Sequence, residues 1–276
     1  MTRIAALLTC HNRRDTTVEA VRALSAQTTE ATIDLVLHDD GSTDGTADAV
    51  RAVRPEVRVV QGDGNRYWCG GMRAAWGAVL VGGYDHYLWV NDDTVLDPEA
   101  VAALLDVYAT QPGSVVVGAT RDPETGEPTY GGVVRTSSTR PLNFTRVAPA
   151  DEPRGVDTMN GNCVLVPQAV VEQIGILDEG FTHGLGDFDY GLRASRAGFA
   201  VVVAPGTIGT CSRNPESPSG RPGLKAAREE WRRMMGVKAI PPSEWRRFAA
   251  RHAGPLWPLY WASPYVRRIV GRATRG

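Results

Sequence analysis

The 276-residue chain lacks any apolar run close to the roughly 18 residues that a membrane-spanning helix needs. Its longest candidate is Phe199–Ala204. The opening residues, MTRIAALLTCHNRRD, combine a short apolar stretch with an early basic cluster. This combination is atypical of a secretory signal peptide and predicts a strand. We therefore expect a cytoplasmic protein.

Two kinds of motif are also missing, paired cysteines and glycine-rich phosphate-binding loops. The four cysteines include no CxxC pair, which argues against a zinc ribbon and a disulfide framework and favours a reducing compartment. No GxxxxGK[ST] sequence is present, which excludes a P-loop. No GxGxxG follows the first predicted strand, which argues against a dinucleotide-binding fold.

Positive and negative charges nearly balance over the whole chain, whose formal net charge is −1. This balance hides an asymmetry, because residues 221–276 hold thirteen basic and three acidic residues, a net charge of +10, whereas residues 1–220 carry −11. The sequence therefore predicts a domain over residues 1–215 and a basic, aromatic, helical extension over 221–276. Arg213–Gly223, rich in proline and glycine, is expected to link them.

Strand and helix patterns alternate through the acidic part, which predicts βαβ units and an α/β fold with a mostly parallel sheet flanked by helices. Strands are predicted at Ile4–Thr9, Ile33–His38, Val57–Val60, His86–Val90, Ser114–Gly118, Asn162–Val166 and Phe199–Ala204. Helices are predicted at Asp15–Ala26, Asp44–Val53, Gly70–Val81, Pro98–Tyr108, Gln168–Ile174, Asp187–Arg196, Leu224–Val237 and Ser243–His252. Thr129–Val134 reads as half of a hairpin and Arg135–Gly155 as a polar loop.

Adjacent aspartates follow two of the apolar strands, as Asp39-Asp40 and as Asp92-Asp93. Parallel strands place their carboxyl ends at one edge of the sheet, where ligands bind. Carboxylates packed this closely repel, and a positive charge must offset them. Mg²⁺ or Mn²⁺, held by one or two carboxylates and substrate phosphates, is the simplest candidate.

Six segments together resemble family 2 glycosyltransferases of the GT-A fold, nearest to bacterial rhamnosyltransferase-like enzymes. The resemblance covers roughly residues 3–215. The segments are LTCHNRR (Leu8–Arg14), DDGSTDGT (Asp39–Thr46), GNRYWCGGMRAAW (Gly64–Trp76), LWVNDDTVL (Leu88–Leu96), NGNCVLVP (Asn160–Pro167) and GLGDFDYGLR (Gly184–Arg193).

The resemblance implies a nucleotide-sugar half over about residues 1–118 and an acceptor half over about 119–215. It implies that Asp93 binds a divalent cation, with Asn91 standing where the family's metal motif begins with Asp. A cap of the following turn is the alternative role for Asp39 or Asp40. The implied donor-binding residues are Thr9, His11, Asn12, Arg13, Asp39, Asp40, Asn65, Arg73 and Asp92.

The resemblance also places the catalytic base at Asp187, where a carboxylate would take the proton of an acceptor hydroxyl. An N-cap role for Asp187 and a base role for Asp189 are the alternatives. Glu is more frequent in the family at position 186, where this chain has Gly. A later family histidine is missing from Gly206–Ser212, and Cys211 would be a soft substitute ligand. The implied acceptor-side residues are Asn162, His183 and Asp189.

These features predict an inverting, metal-dependent transfer of a sugar from a UDP- or dTDP-sugar, with rhamnose or another deoxysugar favoured. The acceptor is a hydroxyl on a glycan, a lipid-linked glycan or a natural product. A sugar-phosphate nucleotidyltransferase and a non-catalytic nucleotide-sugar-binding homologue are the alternatives. For the extension, a helical cap, a homodimer contact and a surface at the inner face of the membrane stay open, and no nucleic-acid partner is expected.

Overall fold

The computed structural model describes residues 1–213, 236–237, 239 and 241–273. The predicted helix Leu224–Val237, up to residue 235, and the predicted linker beyond Arg213 lie outside the described residues. The chain divides into two compact units. The first comprises Met1–Val134 and the described residues of Arg146–Glu216, and the second comprises Arg135–Thr145 and the described residues of Ser217–Gly276.

The described elements follow the predicted alternation of strands and helices. The strands are β1 (Arg3–Cys10), β2 (Thr32–Asp39), β3 (Arg58–Gln61), β4 (His86–Val90), β5 (Val95–Leu96), β6 (Val115–Val117), β7 (Gly132–Arg135), β8 (Phe144–Arg146), β9 (Arg154–Gly155), β10 (Thr158–Met159), β11 (Cys163–Pro167), β12 (Val201–Val203) and β13 (Gly209–Thr210). The helices are α1 (Arg14–Ser25), α2 (Thr46–Val53), α3 (Tyr67–Gly77), α4 (Ala100–Thr110), α5 (Gln168–Ile174), α6 (Gly186–Arg196), α7 (Pro242–His252) and α8 (Trp257–Ala273).

The main sheet has eight strands in the order β3-β2-β1-β4-β11-β6-β12-β9. The pairs β3–β2, β2–β1, β1–β4 and β6–β12 are parallel, whereas β11 runs antiparallel to both of its neighbours. The predicted α/β class and mostly parallel sheet are therefore confirmed. Because β11 is reversed, its first residues lie at the edge where β1, β2 and β4 end.

Apolar side chains cover both faces of the sheet. In β1, Ile4 and Leu8 belong to the core that also includes Val21 and Leu104, from helices on one face. Leu7, the residue before Leu8, belongs to the core on the other face, which includes Trp76 of α3. Strands covered on both faces read as continuous apolar runs, which is why β1 is apolar from Ile4 to Leu8.

Two parts of the chain differ from the prediction. The polar stretch Arg135–Gly155 is not a single loop, because it contains β8 and β9, and β8 joins β7 and β10 in a three-stranded sheet. The helix α8 was missed because its two prolines are typical of a break. Pro258 lies in the first turn of α8, where its missing N–H costs no hydrogen bond, and Pro264 lies inside the helix. Within the described residues, no helix combines the length and the apolarity that crossing a membrane requires.

We predict that Gly71→Ala lowers the free energy of unfolding by about 1–3 kcal/mol. A Cβ at Gly71, in the middle of α3, would overlap the Thr9 hydroxyl and lie 2.8 Å from the His38 ring. The matched control is Gly77→Ala at the end of the same helix, where a Cβ meets no atom within 4 Å. The control should leave stability unchanged or raise it by up to about 1 kcal/mol. Urea unfolding measures both, and equal stability of the two variants would refute the close approach.

Candidate active site

The loops that follow β1, β2 and β4 meet at one edge of the sheet. Cys10, the last residue of β1, is in register with Asp39, the last residue of β2. The loop after β4 is tied to the start of β11, because the Asn91 N–H donates to the carbonyl of Asn162 over 3.0 Å. The segments predicted to bind the donor are therefore neighbours of the segment that precedes β11.

The carboxylates of Asp92 and Asp93 share one cation, the guanidinium of Arg13. Its Nη1 lies 3.1 Å from Asp92 Oδ1 and its Nη2 lies 3.0 Å from Asp93 Oδ2. Asp92 is only 8% exposed, and burial raises its pKa to about 7 against the opposing effect of Arg13. Arg13, expected to bind the donor, thus supplies positive charge to the predicted metal motif.

The donor chemistry at this point fits a hard divalent cation. Carboxylate oxygens are the ligands that Mg²⁺ and Mn²⁺ prefer, and Asp93 keeps about a fifth of its side chain exposed (22%). Among the residues that the structure describes, no three His, Cys, Asp or Glu side chains form a ready metal cluster. A cation here would therefore need oxygen ligands in addition to these carboxylates.

Cys211 lies where the missing family histidine was expected to act. Its Sγ is 3.4 Å from Asp93 Oδ1, and the side-chain amide of Asn162 donates to the same sulfur over 3.4 Å. Burial, together with the nearby Asp93, raises the pKa of Cys211 to about 12. Cys211 is thus a neutral thiol that donates to Asp93. It lies between Asn162 and Asp93 and contacts both of them.

The carboxylate of Asp40, predicted to bind the donor, holds the start of α3 in this structure. Oδ1 accepts from Gly64 over 3.0 Å, and Oδ2 accepts from Arg66 over 2.9 Å and from Tyr67 over 3.0 Å. The sequence left open a cap of the turn that directly follows Asp40, whereas these contacts cap a later element, α3. A carboxylate at a helix N-terminus is stabilising.

Asp39 is as buried as Asp40, whereas the residues after β1 are exposed. Asp39 Oδ1 accepts from Ser42 N over 2.9 Å. His11, Asn12 and Arg13 are exposed at the edge of the sheet. The ring Nδ1 of His11 lies 2.7 Å from the Asp40 carbonyl oxygen, and Asn12 accepts from Thr43 N over 2.8 Å. These contacts order the two loops that would surround a bound nucleotide.

Two other predicted donor residues have more peripheral places. Thr9 is 8% exposed and turned toward Gly71 of α3 instead of the open edge. Asn65 is exposed and hydrogen-bonded to its neighbour Asp63. Thr9 therefore packs against α3 beneath the predicted donor site.

Arg73, predicted to bind the donor, contacts backbone carbonyls in this structure. Its Nη1 donates to the carbonyls of Asp178 over 2.9 Å and Phe181 over 2.6 Å, in the loop before α6. One turn earlier on α3, the Cys69 thiol lies 3.1 Å from the carbonyl of His183, whose ring packs edge-on against Tyr67. Helix α3 therefore holds the loop that leads to the predicted base.

Asp187 lies in the first turn of α6, half-buried. Its Oδ2 accepts from Gly161 N over 3.0 Å and its Oδ1 from Phe188 N over 2.9 Å. Burial raises the pKa of Asp187 to about 6, although both hydrogen bonds oppose the shift. The N-cap residue is Leu185, so the alternative that Asp187 caps α6 is not what the structure shows.

The side chain of Trp68, in the first turn of α3, connects the two acidic parts. Its indole Nε1 donates to Asn91 Oδ1 over 2.7 Å. The six-membered ring lies against Gly161, where a Cβ would be 2.5 Å from the ring and 3.4 Å from the Cβ of Asp187. Asn91 thus accepts from an indole at the position where the family's metal motif begins with Asp, and Asp187 lies on the other side of Gly161.

Asp189, predicted on the acceptor side and as the alternative base, lies in a buried ion pair. It is fully buried and pairs with Arg193 over 2.8 Å. Arg193 also donates to the carbonyls of Ile174 and Ile176, so this ion pair fastens α6 to the segment after α5. The missing Glu at position 186 has a physical reason as well, because any Cβ at Gly186 would overlap the Cys69 sulfur.

Comparison with known proteins places these residues in a family. The family described as Glycosyl transferase family 2 matches residues 6–175. Two curated relatives from Mycobacterium tuberculosis, from strains CDC 1551 / Oshkosh and ATCC 25618 / H37Rv, are each named N-acetylglucosaminyl-diphospho-decaprenol L-rhamnosyltransferase. This chain is 28% identical to each over 205 residues, 64% of this chain and 66% of the relative. The match thus spans just under two thirds of the relatives' length.

We predict that Asp40→Asn lowers the free energy of unfolding by about 2–4 kcal/mol, because an amide replaces a charged acceptor of three backbone N–H groups. The matched control is Asp106→Asn on the exposed side of α4, which should change stability by less than about 0.5 kcal/mol. Urea unfolding of both variants measures the difference. A loss for Asp40→Asn no larger than that for the control would contradict the capping role.

Proposed function

The chain belongs to glycosyl transferase family 2, and we propose that it moves a deoxysugar, with rhamnose as the first candidate, from a dTDP- or UDP-sugar to an acceptor hydroxyl. The arrangement that carries this proposal is the meeting of the Asp92–Asp93 pair with Asp187 at one edge of the sheet. Asn91, Trp68 and Gly161 connect the two carboxylate sites through the contacts described above. One site suits the leaving diphosphate and the other suits the attacking hydroxyl.

The relatives' printed name supports the choice of sugar and gives a class of acceptor. It describes transfer of L-rhamnose to a sugar carried on a diphosphate-linked polyprenol. We extend the rhamnosyl donor to this chain as the leading hypothesis. A lipid-linked glycan is one acceptor class, beside a free glycan and a natural product, and all three present a hydroxyl for the same chemistry.

On the donor side, Asp93 with Asp92 beside it would hold Mg²⁺ or Mn²⁺. Such a cation acts as a Lewis acid on the leaving diphosphate. Arg13 contacts both carboxylates and would also neutralise part of the negative charge of a bound diphosphate. A guanidinium binds phosphate oxygens with two parallel N–H groups. The exposed His11 and Asn12 lie in the loop next to Arg13, where a nucleotide would rest.

On the acceptor side, Asp187 would take the proton of the hydroxyl. The acceptor oxygen forms a bond to the anomeric carbon while the bond from that carbon to the diphosphate oxygen breaks. The nucleoside diphosphate leaves with the bonding electrons, and the proton goes to the Asp187 carboxylate. A single displacement of this kind inverts the anomeric configuration. A pKa of about 6 suits a base that must be ionised and still proton-accepting near neutral pH.

The two alternatives make different predictions. A nucleotidyltransferase would form a sugar nucleotide from a sugar phosphate and a nucleoside triphosphate, and it is disfavoured by the family match. A non-catalytic homologue would bind the nucleotide and transfer nothing. Its support in the sequence is Gly186 and the histidine missing from Gly206–Ser212, and contact with Cys69 accounts for the glycine.

We predict that Asp187→Asn lowers kcat for sugar transfer by about 10²- to 10⁴-fold and leaves the affinity for dTDP or UDP unchanged. The amide keeps the hydrogen bond from Gly161 but cannot accept the acceptor's proton. Asp106→Asn, remote from the site on α4, is the control and should retain full turnover. Product formation is followed by chromatography and nucleotide affinity by calorimetry. Unchanged turnover in Asp187→Asn would remove the base assignment.

We also predict that kcat falls as the pH drops through about 6. The protonated carboxyl of Asp187 cannot act as a base, and burial has raised its pKa from the ordinary 3.8, so the loss should begin well above the usual range of an aspartate. Above pH 7 or so the base is ionised and the rate should level off. The measurement is kcat as a function of pH with saturating substrates. A kcat that stays constant down to pH 3.8, the ordinary pKa of an aspartate, would exclude this titration.

A further inference from the structure

The last described part of the chain presents a row of exposed aliphatic side chains. Leu256 is 58% exposed, Leu259 67% and Val266 51%. Leu259 and Val266 are seven residues apart in α8, two helical turns, so they share a face. Leu256 precedes Leu259 by three positions and extends the same row. Aliphatic side chains grouped in this way on a surface are typical of an interaction site.

The other side of α8 is already occupied within its own unit. The indole of Trp261 donates to the Pro242 carbonyl over 3.1 Å, and the indole of Trp245 donates to the Trp261 carbonyl over 3.2 Å. At 3.6 residues per turn, Trp261 lies across the helix from Leu259 and Val266. The packing of α7 on α8 therefore leaves the aliphatic row directed outward.

The same unit is rich in arginine. Arg246 and Arg247 of α7 are exposed, and the sequence continues after Val266 with Arg267 and Arg268. From residue 241 to residue 273 the chain has six arginines and one acidic residue, the buried Glu244. Aliphatic residues between basic ones are typical of a helix that lies on an anionic bilayer, where the apolar side chains enter the acyl boundary and the cations meet the head groups.

We infer that Leu256, Leu259 and Val266, with the exposed Arg246 and Arg247, form a surface that docks on an anionic lipid membrane. The charge complementarity distinguishes this occupant from an apolar protein groove, which would not require the arginines. The inference does not depend on the donor or on Asp187. It would place the transferase at a membrane whatever its sugar.

The test is flotation of the full-length protein with vesicles of phosphatidylcholine, with and without phosphatidylglycerol. We expect binding to the anionic vesicles that weakens as salt is raised. The double variant Leu256→Gln/Leu259→Gln should bind about tenfold more weakly or worse. The matched control is Val81→Gln, which changes a 99% exposed aliphatic residue of the first unit and should bind as the wild type does.

A second variant, Arg246→Gln/Arg247→Gln, keeps the aliphatic row and should lose part of the preference for phosphatidylglycerol. Calorimetry with dTDP or UDP should give the same affinity for all variants, which separates this proposal from the proposed function. Absence of binding to anionic vesicles would overturn the inference, and so would equal binding by the leucine double variant. Self-association that the leucine variant abolishes, without vesicle binding, would assign the row to a second copy of the chain.

Discussion

The candidate active site depends on the carboxylate of Asp40, which ends β2 and holds the start of α3. Three backbone N–H groups between Gly64 and Tyr67 donate to this one buried side chain. Without this carboxylate, the three N–H groups would lose their charged acceptor. The carboxylate thereby fixes where α3 begins relative to the sheet, and α3 in turn supplies most contacts that arrange the site.

Glycines allow those contacts to form at short range. Gly71 lets α3 approach the ends of β1 and β2, Gly161 accommodates the ring of Trp68, and Gly186 leaves space for the Cys69 sulfur. Trp68 reaches the acidic loop after β4, whereas Cys69 and Arg73 hold the loop before α6. The predicted donor side and the proposed base, Asp187, are therefore both contacted from one helix. Two departures from the usual family pattern, Asn91 and Gly186, lie against residues of that helix.

The architecture was largely predictable because burial on both faces of a sheet leaves a strong pattern in the chain. The predicted bounds of His86–Val90 and Gln168–Ile174 match β4 and α5 residue for residue. The helix α8 escaped prediction because proline in a first turn looks, in the sequence, like proline that ends a helix. The apolar pattern that identifies a strand does not specify how the polar residues of the following loop are oriented.

The sequence predicts which residues collect near the strand ends, but it does not predict what each of them contacts. The sequence indicated that aspartates collect at the strand ends, and the family resemblance selected Asp187. The sequence could not show that the Asp40 carboxylate accepts from backbone N–H groups or that Asp189 is paired in the core. The partners are backbone groups and a side chain whose positions depend on the fold. Arg13 and Arg73 illustrate the same limit, since both arginines follow polar or aromatic motifs, yet one contacts carboxylates and the other contacts carbonyls.

We propose that the edge carrying Arg13 and the Asp92–Asp93 pair binds a nucleoside diphosphate with a divalent cation. Calorimetry of the full-length protein with dTDP, UDP, GDP and CMP, each with Mn²⁺, Mg²⁺ or chelator, tests this proposal. We expect that dTDP or UDP binds, and binds more tightly with the cation than with chelator. Absence of binding to all four nucleotides, or equal binding in the presence of chelator, would contradict it.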